Sequence, residues 1–170
     1  MKSLQFIYSV TPDHFRQSLQ RRIMNFRSSA SFGKRQEFVA IAELLRRGFD
    51  VYMTLVDDQQ IDCVVRQERD GALRYLDIQI KARSKVAKHP ATFAAMEVRK
   101  PRPYFFFIFY AEVIDTYWVI PSLQLLKLAN VRKSGKSQGK CRVDLCNNTK
   151  TGWRPRPKFD AYKNAFHLLE

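Results

Sequence analysis

Residues 61–67 and 73–82 both have strand character and are joined through Asp70-Gly71, and no other part of the chain constrains the fold as tightly. Asp-Gly takes up the left-handed backbone that a tight hairpin turn demands. Side chains on a strand share a face every second residue. Leu76, Ile78 and Ile80 therefore line one face of the second strand, and Asp77, Gln79 and Lys81 line the other. A polar face turned to water would produce the same alternation. Asp62 is less easily placed that way. It interrupts an apolar run between Ile61 and Cys63-Val64-Val65, close to a strand start where a turn or cap role is also open.

The flanking pattern extends this hairpin into a mixed central sheet flanked by helices, an α/β class. Residues 31–47 have helical spacing and stop at Gly48, with Phe38, Ile41, Ala42, Leu44 and Leu45 forming one broad apolar face. Residues 49–56 read as a strand, and Asp57-Asp58-Gln59-Gln60 as the turn after it. Residues 83–103 are basic and loop-rich. Residues 104–113 form an apolar strand, and 116–120 its partner across Asp115. Ser122, after Pro121, suits the cap of a helix through Ala129. Residues 131–158 are loop-like with a short strand at 141–145, and 159–169 form a closing helix in which His167 packs. Upstream, Asp13 can cap a helix on which Phe15, Leu19, Ile23 and Phe26 recur. The Arg- and Ser-rich composition there is also compatible with a targeting segment. The expectation is one domain of 170 residues: a basic helical extension (1–32), a core (33–120) and basic C-terminal elements (121–170).

Thirty Lys and Arg against 16 Asp and Glu leave a net charge of +14, which points to an anionic partner. The charge is spread along the chain, and the longest apolar run is too short to span a bilayer. Nucleic acid is therefore expected and membrane is not. Three irregularly spaced cysteines argue for reduced thiols and a cytoplasmic setting, nucleoid-associated in a prokaryote. Arg83, Lys85, Lys88, Arg99, Lys100 and Arg102 follow directly after Lys81. Arg132, Lys133, Lys136, Lys140 and Arg142 form a second basic group, and Lys150, Arg154, Arg156 and Lys158 a third. These are the candidate phosphate contacts, with Trp153 among them as a loop anchor or a stacking residue. Gly135-Lys136-Ser137 lacks the first glycine of a phosphate loop, and Cys141 and Cys146 lack zinc-ligand spacing.

Glu37 falls within the apolar arc of its helix, one turn before Ile41 and two before Leu44. A residue at the margin of that face, or an early-turn glutamate favoured by the helix dipole, would be equally at home. A helix acid, a strand acid, an amide and an ammonium converging from neighbouring elements also suit metal-assisted cleavage of a phosphodiester.

In that order the residues resemble the PD-(D/E)xK nuclease superfamily: Glu37 in GKRQEFVAIAELLRRGF, Asp62 in QIDCVV, and Gln79-Ile80-Lys81 in YLDIQIK. The likeness covers roughly residues 33–120. Gln79 departs from the usual acid, and a Q-x-K form is similar to that of compact group I intron homing endonucleases and of Mrr-like or resolvase-like nucleases. The resemblance implies a restriction-endonuclease-like core acting as a divalent-metal-dependent DNA endonuclease of homing or restriction type. It implies Mg²⁺ or Mn²⁺ as cofactor, held by Asp62, Gln79, the Ile80 carbonyl and Glu37, with Lys81 at the attacking water or the phosphate. Asp77, on the same face, can replace some of the negative charge that Gln79 lacks. The implied partner is double-stranded DNA, bound by a homodimer or homotetramer. Two other functions fit the same composition: a DNA-binding module on this fold without cleavage, and a basic RNA-associated structural protein.

Overall fold

A computed structural model describes residues 29–55 and 59–170. The expected N-terminal helix (through residue 28), Val56, and Asp57-Asp58 of the expected turn lie outside the described residues. Helix α1 (Ser29–Arg46) leads into strand β1 (Asp50–Met53), followed by β2 (Cys63–Arg69) and β3 (Ala72–Arg83). Asp70 and Gly71 join β2 to β3 with φ of 55° and 73°, the two left-handed residues that a two-residue hairpin requires. Beyond β4 (Thr92–Met96), strand β5 (Phe105–Ala111) lies parallel to β3. Strand β6 (Thr116–Pro121) returns antiparallel beside it. The central sheet has five strands in the order β1-β2-β3-β5-β6. The parallel β3–β5 pair makes it mixed, with residues 84–104 supplying the long crossover that parallel neighbours need.

Strand β5 explains its own apolar sequence, because both of its faces are buried. Phe106 and Ile108 join Cys63, Val65, Leu76, Ile78 and Ile80 under Ala40, Ile41 and Leu44 of α1. Phe105, Phe107 and Phe109 face a second core with Phe93, Trp118, Ile120, Val143, Leu145 and Phe159. That second core is covered by helix α2 (Ser122–Leu128) and by a three-stranded sheet in the order β4-β8-β7, comprising β4, β7 (Asn130–Val131) and β8 (Cys141–Asp144). Strands β9 (Cys146–Thr149) and β10 (Gly152–Pro155) form a separate two-stranded ribbon.

Several expectations need correction. The first strand is only four residues long. On α1 the docked face runs through Ala40, Ile41 and Leu44, while Phe38 and Leu45 are half exposed and Ala42 is exposed. Five apolar positions overfill the narrow stripe that one helix can press on a sheet. Ser122 does not cap α2. It is the first helical residue, and its buried hydroxyl donates to the Arg102 carbonyl (2.9 Å) and accepts the Arg102 N–H (3.1 Å). The stretch 83–103 contains β4, and 131–158 holds, besides the expected strand at 141–145 (β8), the end of β7 and the strands β9 and β10, which its Gly-, Ser- and Lys-rich composition hides. The closing helix is absent. Two 3-10 turns, Pro157–Tyr162 and Phe166–Leu169, are separated by Asn164 at φ 48°. Asn164 instead pairs with the sheet edge: its N–H donates to the Tyr117 carbonyl (2.8 Å) and its side-chain oxygen accepts the Tyr117 N–H (3.1 Å). His167 is exposed. All three cysteines are free and buried, and no described helix is long and apolar enough to cross a membrane.

Candidate active site

Of the polar residues singled out in the sequence, Asp62 stands at the start of β2 and Gln79 and Lys81 in the second half of β3, while Glu37 is on α1. Asp62, just before β2, keeps contact with β3: its N–H donates to the Ile78 carbonyl (2.8 Å), and its Oδ2 accepts the Ile80 N–H (2.6 Å). These two bonds bracket Gln79, so the carboxylate and the amide sit side by side across the strand pair. Thr54 holds the entering chain from the other side, with its hydroxyl donating to the carbonyls of Ile61 (2.7 Å) and Asp62 (3.2 Å). Asp62 is 9% exposed and Gln79 only 2%.

Gln79 Oε1 is buried and accepts no hydrogen bond. An orphaned acceptor of this kind costs roughly 1–3 kcal/mol, and one placed beside a buried carboxylate is the donor arrangement a hard cation accepts. The residues present therefore fit a divalent metal, although among the described residues no group of three His, Cys, Asp or Glu side chains comes together. The donors would be one carboxylate, one neutral amide oxygen, a backbone carbonyl at Ile80 and Glu37.

Glu37 is half buried on the α1 face that carries Ile41 and Leu44, and it accepts an ion pair from Lys34 at 2.6 Å. Its field reaches the same place as that of Asp62. The Cys63 thiol is pushed up to about 12, by burial first and then by the negative charges of Asp62 and Glu37. The charges of the helix acid and the strand acid thus both act on this one thiol.

Lys81 is two residues beyond Gln79 on the same face of β3, half buried, with no ion pair among the described residues. It lines a cavity of about 310 Å³ with Gln60, Ala95, Met96 and Glu97. None of these four neighbours stood out as a site residue in the sequence, where Gln60 read only as part of a turn. Glu97 is the one acid between residues 83 and 104, and that isolation was its only signal. Gln60 and Ala95 both have left-handed backbones, φ 62° and 56°, which nothing in their side chains announces. The Gln60 amide bridges the loop, donating to the Glu97 carbonyl (3.1 Å) and accepting the Arg99 N–H (3.0 Å). A larger hollow of about 650 Å³, lined by Asp50, Arg66, Arg69, His167 and Glu170, lies toward the hairpin end of the sheet and includes none of the candidate residues.

Asp77 does not supplement the charge at Gln79. It is ion-paired with Arg102, whose Nε donates at 3.0 Å and whose guanidinium lies 4.6 Å from the Phe105 ring centre. Arg102 is correspondingly a structural cation more than a surface one. Among the other basic candidates, Arg83 lies over Phe93, Arg99 pairs with Glu97, and Lys140 stands 3.9 Å from Glu97. Arg156 is half buried, whereas Arg154 is exposed. Lys85, Lys88, Lys100, Lys133 and Lys136 are exposed and form no ion pair among the described residues. Trp153 is an anchor, packed at the margin of the second core.

A mixed sheet with a helix on one face has a counterpart among solved structures. The chain is similar to a bacterial homing endonuclease, I-Ssp6803I, at a TM-score of 0.55 and 23% identity over 84% of this chain and 91% of that one. A nuclease from a fusselovirus, D212, aligns at a TM-score of 0.42 and 17% identity over 75% of this chain and 84% of the other. No protein-family model and no curated protein sequence matches the chain.

Proposed function

We propose that this protein is a divalent-metal-dependent endonuclease that hydrolyses phosphodiester bonds in double-stranded DNA, with the Q-x-K form of the PD-(D/E)xK site. The observation that carries the reading is the buried pair of Asp62 and Gln79, one held by the Ile80 N–H and the other with an orphaned oxygen. The fold shared with a homing endonuclease supports it.

Asp62, Gln79 Oε1, the Ile80 carbonyl and Glu37 would hold Mg²⁺ or Mn²⁺, with Glu37 giving up Lys34 to do so. When bound, such a cation lowers the pKa of a coordinated water and offsets charge on phosphate oxygens. The protein's own groups do the rest. The Ile80 N–H fixes one oxygen of the Asp62 carboxylate and so sets the orientation of the side chain. Lys81, projecting into the adjoining cavity, donates hydrogen bonds to the attacking water or to the phosphoryl oxygen where charge develops. Water adds to phosphorus, the bond to one ester oxygen breaks, and that oxygen leaves with a proton. The exposed lysines hold the backbone by charge alone. One site cuts one strand, so a double-strand cut takes two copies related by symmetry, as a homodimer or homotetramer.

The test is incubation with supercoiled plasmid, linear duplex, branched DNA and RNA, with Mg²⁺ and with chelator, beside Asp62→Ala. Metal-dependent cutting of duplex DNA that the variant lacks is the expected result. Tight binding without cutting of these substrates or of a randomised-sequence library would leave a binding module.

A further inference from the structure

The β9–β10 ribbon has a composition that the fold does not require. Its residues 147–152 and 154 are exposed, it belongs to neither large sheet, and it carries Asn147, Asn148, Thr149, Lys150 and Arg154. Its register pairs Asn147 with Arg154 and Asn148 with Trp153. Because faces alternate along a strand, Cys146, Asn148, Trp153 and Pro155 share one side, and Cys146 and Trp153 pack it onto the second core. Asn147, Thr149 and Arg154 share the side turned away from that core.

That outer side is ordered from within. The Thr149 hydroxyl donates to the Gly152 carbonyl (2.6 Å) and lies 3.2 Å from the Thr151 hydroxyl. The Thr151 hydroxyl in turn accepts from Arg154 Nη2 (3.0 Å). Among the described residues, Arg154 is thereby oriented without an acid to neutralise it, and the Asn147 amide makes no hydrogen bond. We infer that the outer face of this ribbon, through Arg154 and Asn147, reads base edges in the major groove of duplex DNA, an inference that rests on the nuclease reading above and names its specificity element.

Three arguments converge on that occupant. The major groove, about 12 Å wide, admits a two-stranded β-ribbon, and Arg and Asn are the side chains that bond bidentately to guanine and adenine there. The loop between β7 and β8 differs in kind: Lys133 and Lys136 are exposed point charges suited to phosphates, and no Asn stands beside them. Placement agrees as well. Cys146, at the root of the ribbon, follows Cys141 by five positions, so the two lie within about 18 Å. Cys141 pairs with Met96, which lines the Lys81 cavity. The root of the ribbon and the cavity are therefore separated by less than one helical turn of B-DNA, about 34–36 Å, a span that one duplex can cover.

The experiment selects binders from a randomised duplex library with the full-length protein in chelator, so that nothing is cut. The compared proteins are wild type, Arg154→Lys, Asn147→Ala and a Lys133→Ala/Lys136→Ala control. The wild type is expected to enrich a consensus. Arg154→Lys keeps the charge but loses the bidentate fork, and should lose about tenfold of preference at one G·C position; Asn147→Ala should do so at a neighbouring A·T. Affinity for random duplex should stay within a few-fold in both. The lysine control should weaken all sequences alike and flatten the salt dependence. No wild-type consensus, a consensus unchanged in both ribbon variants, or tighter binding of structured RNA than of duplex would overturn the inference. Failure of the nuclease reading looks different: a protein that never cuts, yet whose consensus moves with Arg154, leaves the ribbon assignment standing.

Discussion

At the residue scale, the site turns on a neutral side chain in a place where a charge would be costly without a counter-ion. Gln79 is buried beside Asp62, and its oxygen has no partner. Gln79→Glu would put two carboxylates together, which disfavours ionisation of both unless a cation intervenes. The variant should melt below wild type in chelator and gain more from Mg²⁺ than wild type does, measured by thermal denaturation with and without metal. Equal shifts in the two proteins would remove Gln79 from the metal set. Asp62→Ala and Lys81→Ala should each lower the cleavage rate at least about a hundredfold, in the range of lost charge-stabilising groups, with DNA affinity within a few-fold; wild-type rates in either would end the proposed roles. The cysteines give a check that needs no substrate. Burial raises Cys63 to about 12 and Cys146 to about 11, and raises Cys141 as well. Folded protein at pH 8 should therefore leave all three thiols unreacted with a disulfide reagent until denaturant is added. The unfolded chain releases these protons near pH 9 and the folded chain holds them, so stability present below that point should fall as pH climbs from about 9 toward 12.

At the element scale, the legible parts of the chain were those where local chemistry and tertiary demand agree. The β2–β3 hairpin is written in Asp70-Gly71 and in the alternation of Leu76, Ile78 and Ile80. Gly71 stands at φ 73° with nothing within 4 Å of where a Cβ would sit. Gly71→Ala should therefore cost only the backbone strain, about 1 kcal/mol, seen as a Tm lower by about 2–4 °C with cleavage unchanged. A loss of cleavage at full stability would mean the turn does more than close the hairpin. Of the candidate site, the sequence made legible that Asp62 interrupts an apolar run and that Gln79 and Lys81 share a face, and the structure adds that Asp62 and Gln79 are buried. The surroundings of the site were not legible. Ala95 and Glu97 reach the Lys81 cavity beside a bulge in β4 between Phe93 and Met96, and Gln60 reaches it from the segment before β2; a bulge has no signature in a five-residue strand. Asp77 looked equivalent to Gln79 because alternation ranks both alike; only the partner, Arg102, held by Ser122 from a distant element, separates them. The terminal 3-10 turns were misread as a helix for a similar reason. Their apolar spacing is helical, but Asn164 takes a left-handed conformation to pair with Tyr117, a long-range bond that local pattern cannot carry.

At the scale of the whole molecule, the cations behind the charge of +14 include some that are ion-paired within the protein and others left for a partner. Arg46, Arg47, Arg66, Arg99, Arg102 and Arg142 are ion-paired within the protein, whereas Lys85, Lys88, Lys133 and Lys136 are exposed and form no ion pair among the described residues. Arginine is the better residue for fixed pairs because its planar fork matches a carboxylate; lysine, a mobile point charge, suits a phosphate backbone whose position shifts with sequence. Each phosphate neutralised on B-DNA contributes about −0.9 to the slope of log K against log salt. Replacing the four lysines with alanine should therefore flatten the slope by up to about 3.6 and weaken random and preferred duplexes alike. Arg102→Ala should act on the other ledger: it leaves Asp77 half buried without its partner, lowering Tm while barely altering the slope. Binding titrations across a salt series, with melting curves for the same proteins, separate the two classes. If Arg102→Ala flattened the slope as much as the lysine set does, the division between structural arginines and phosphate-facing lysines would be wrong, and the duplex would have to approach over the Asp77 end of β3.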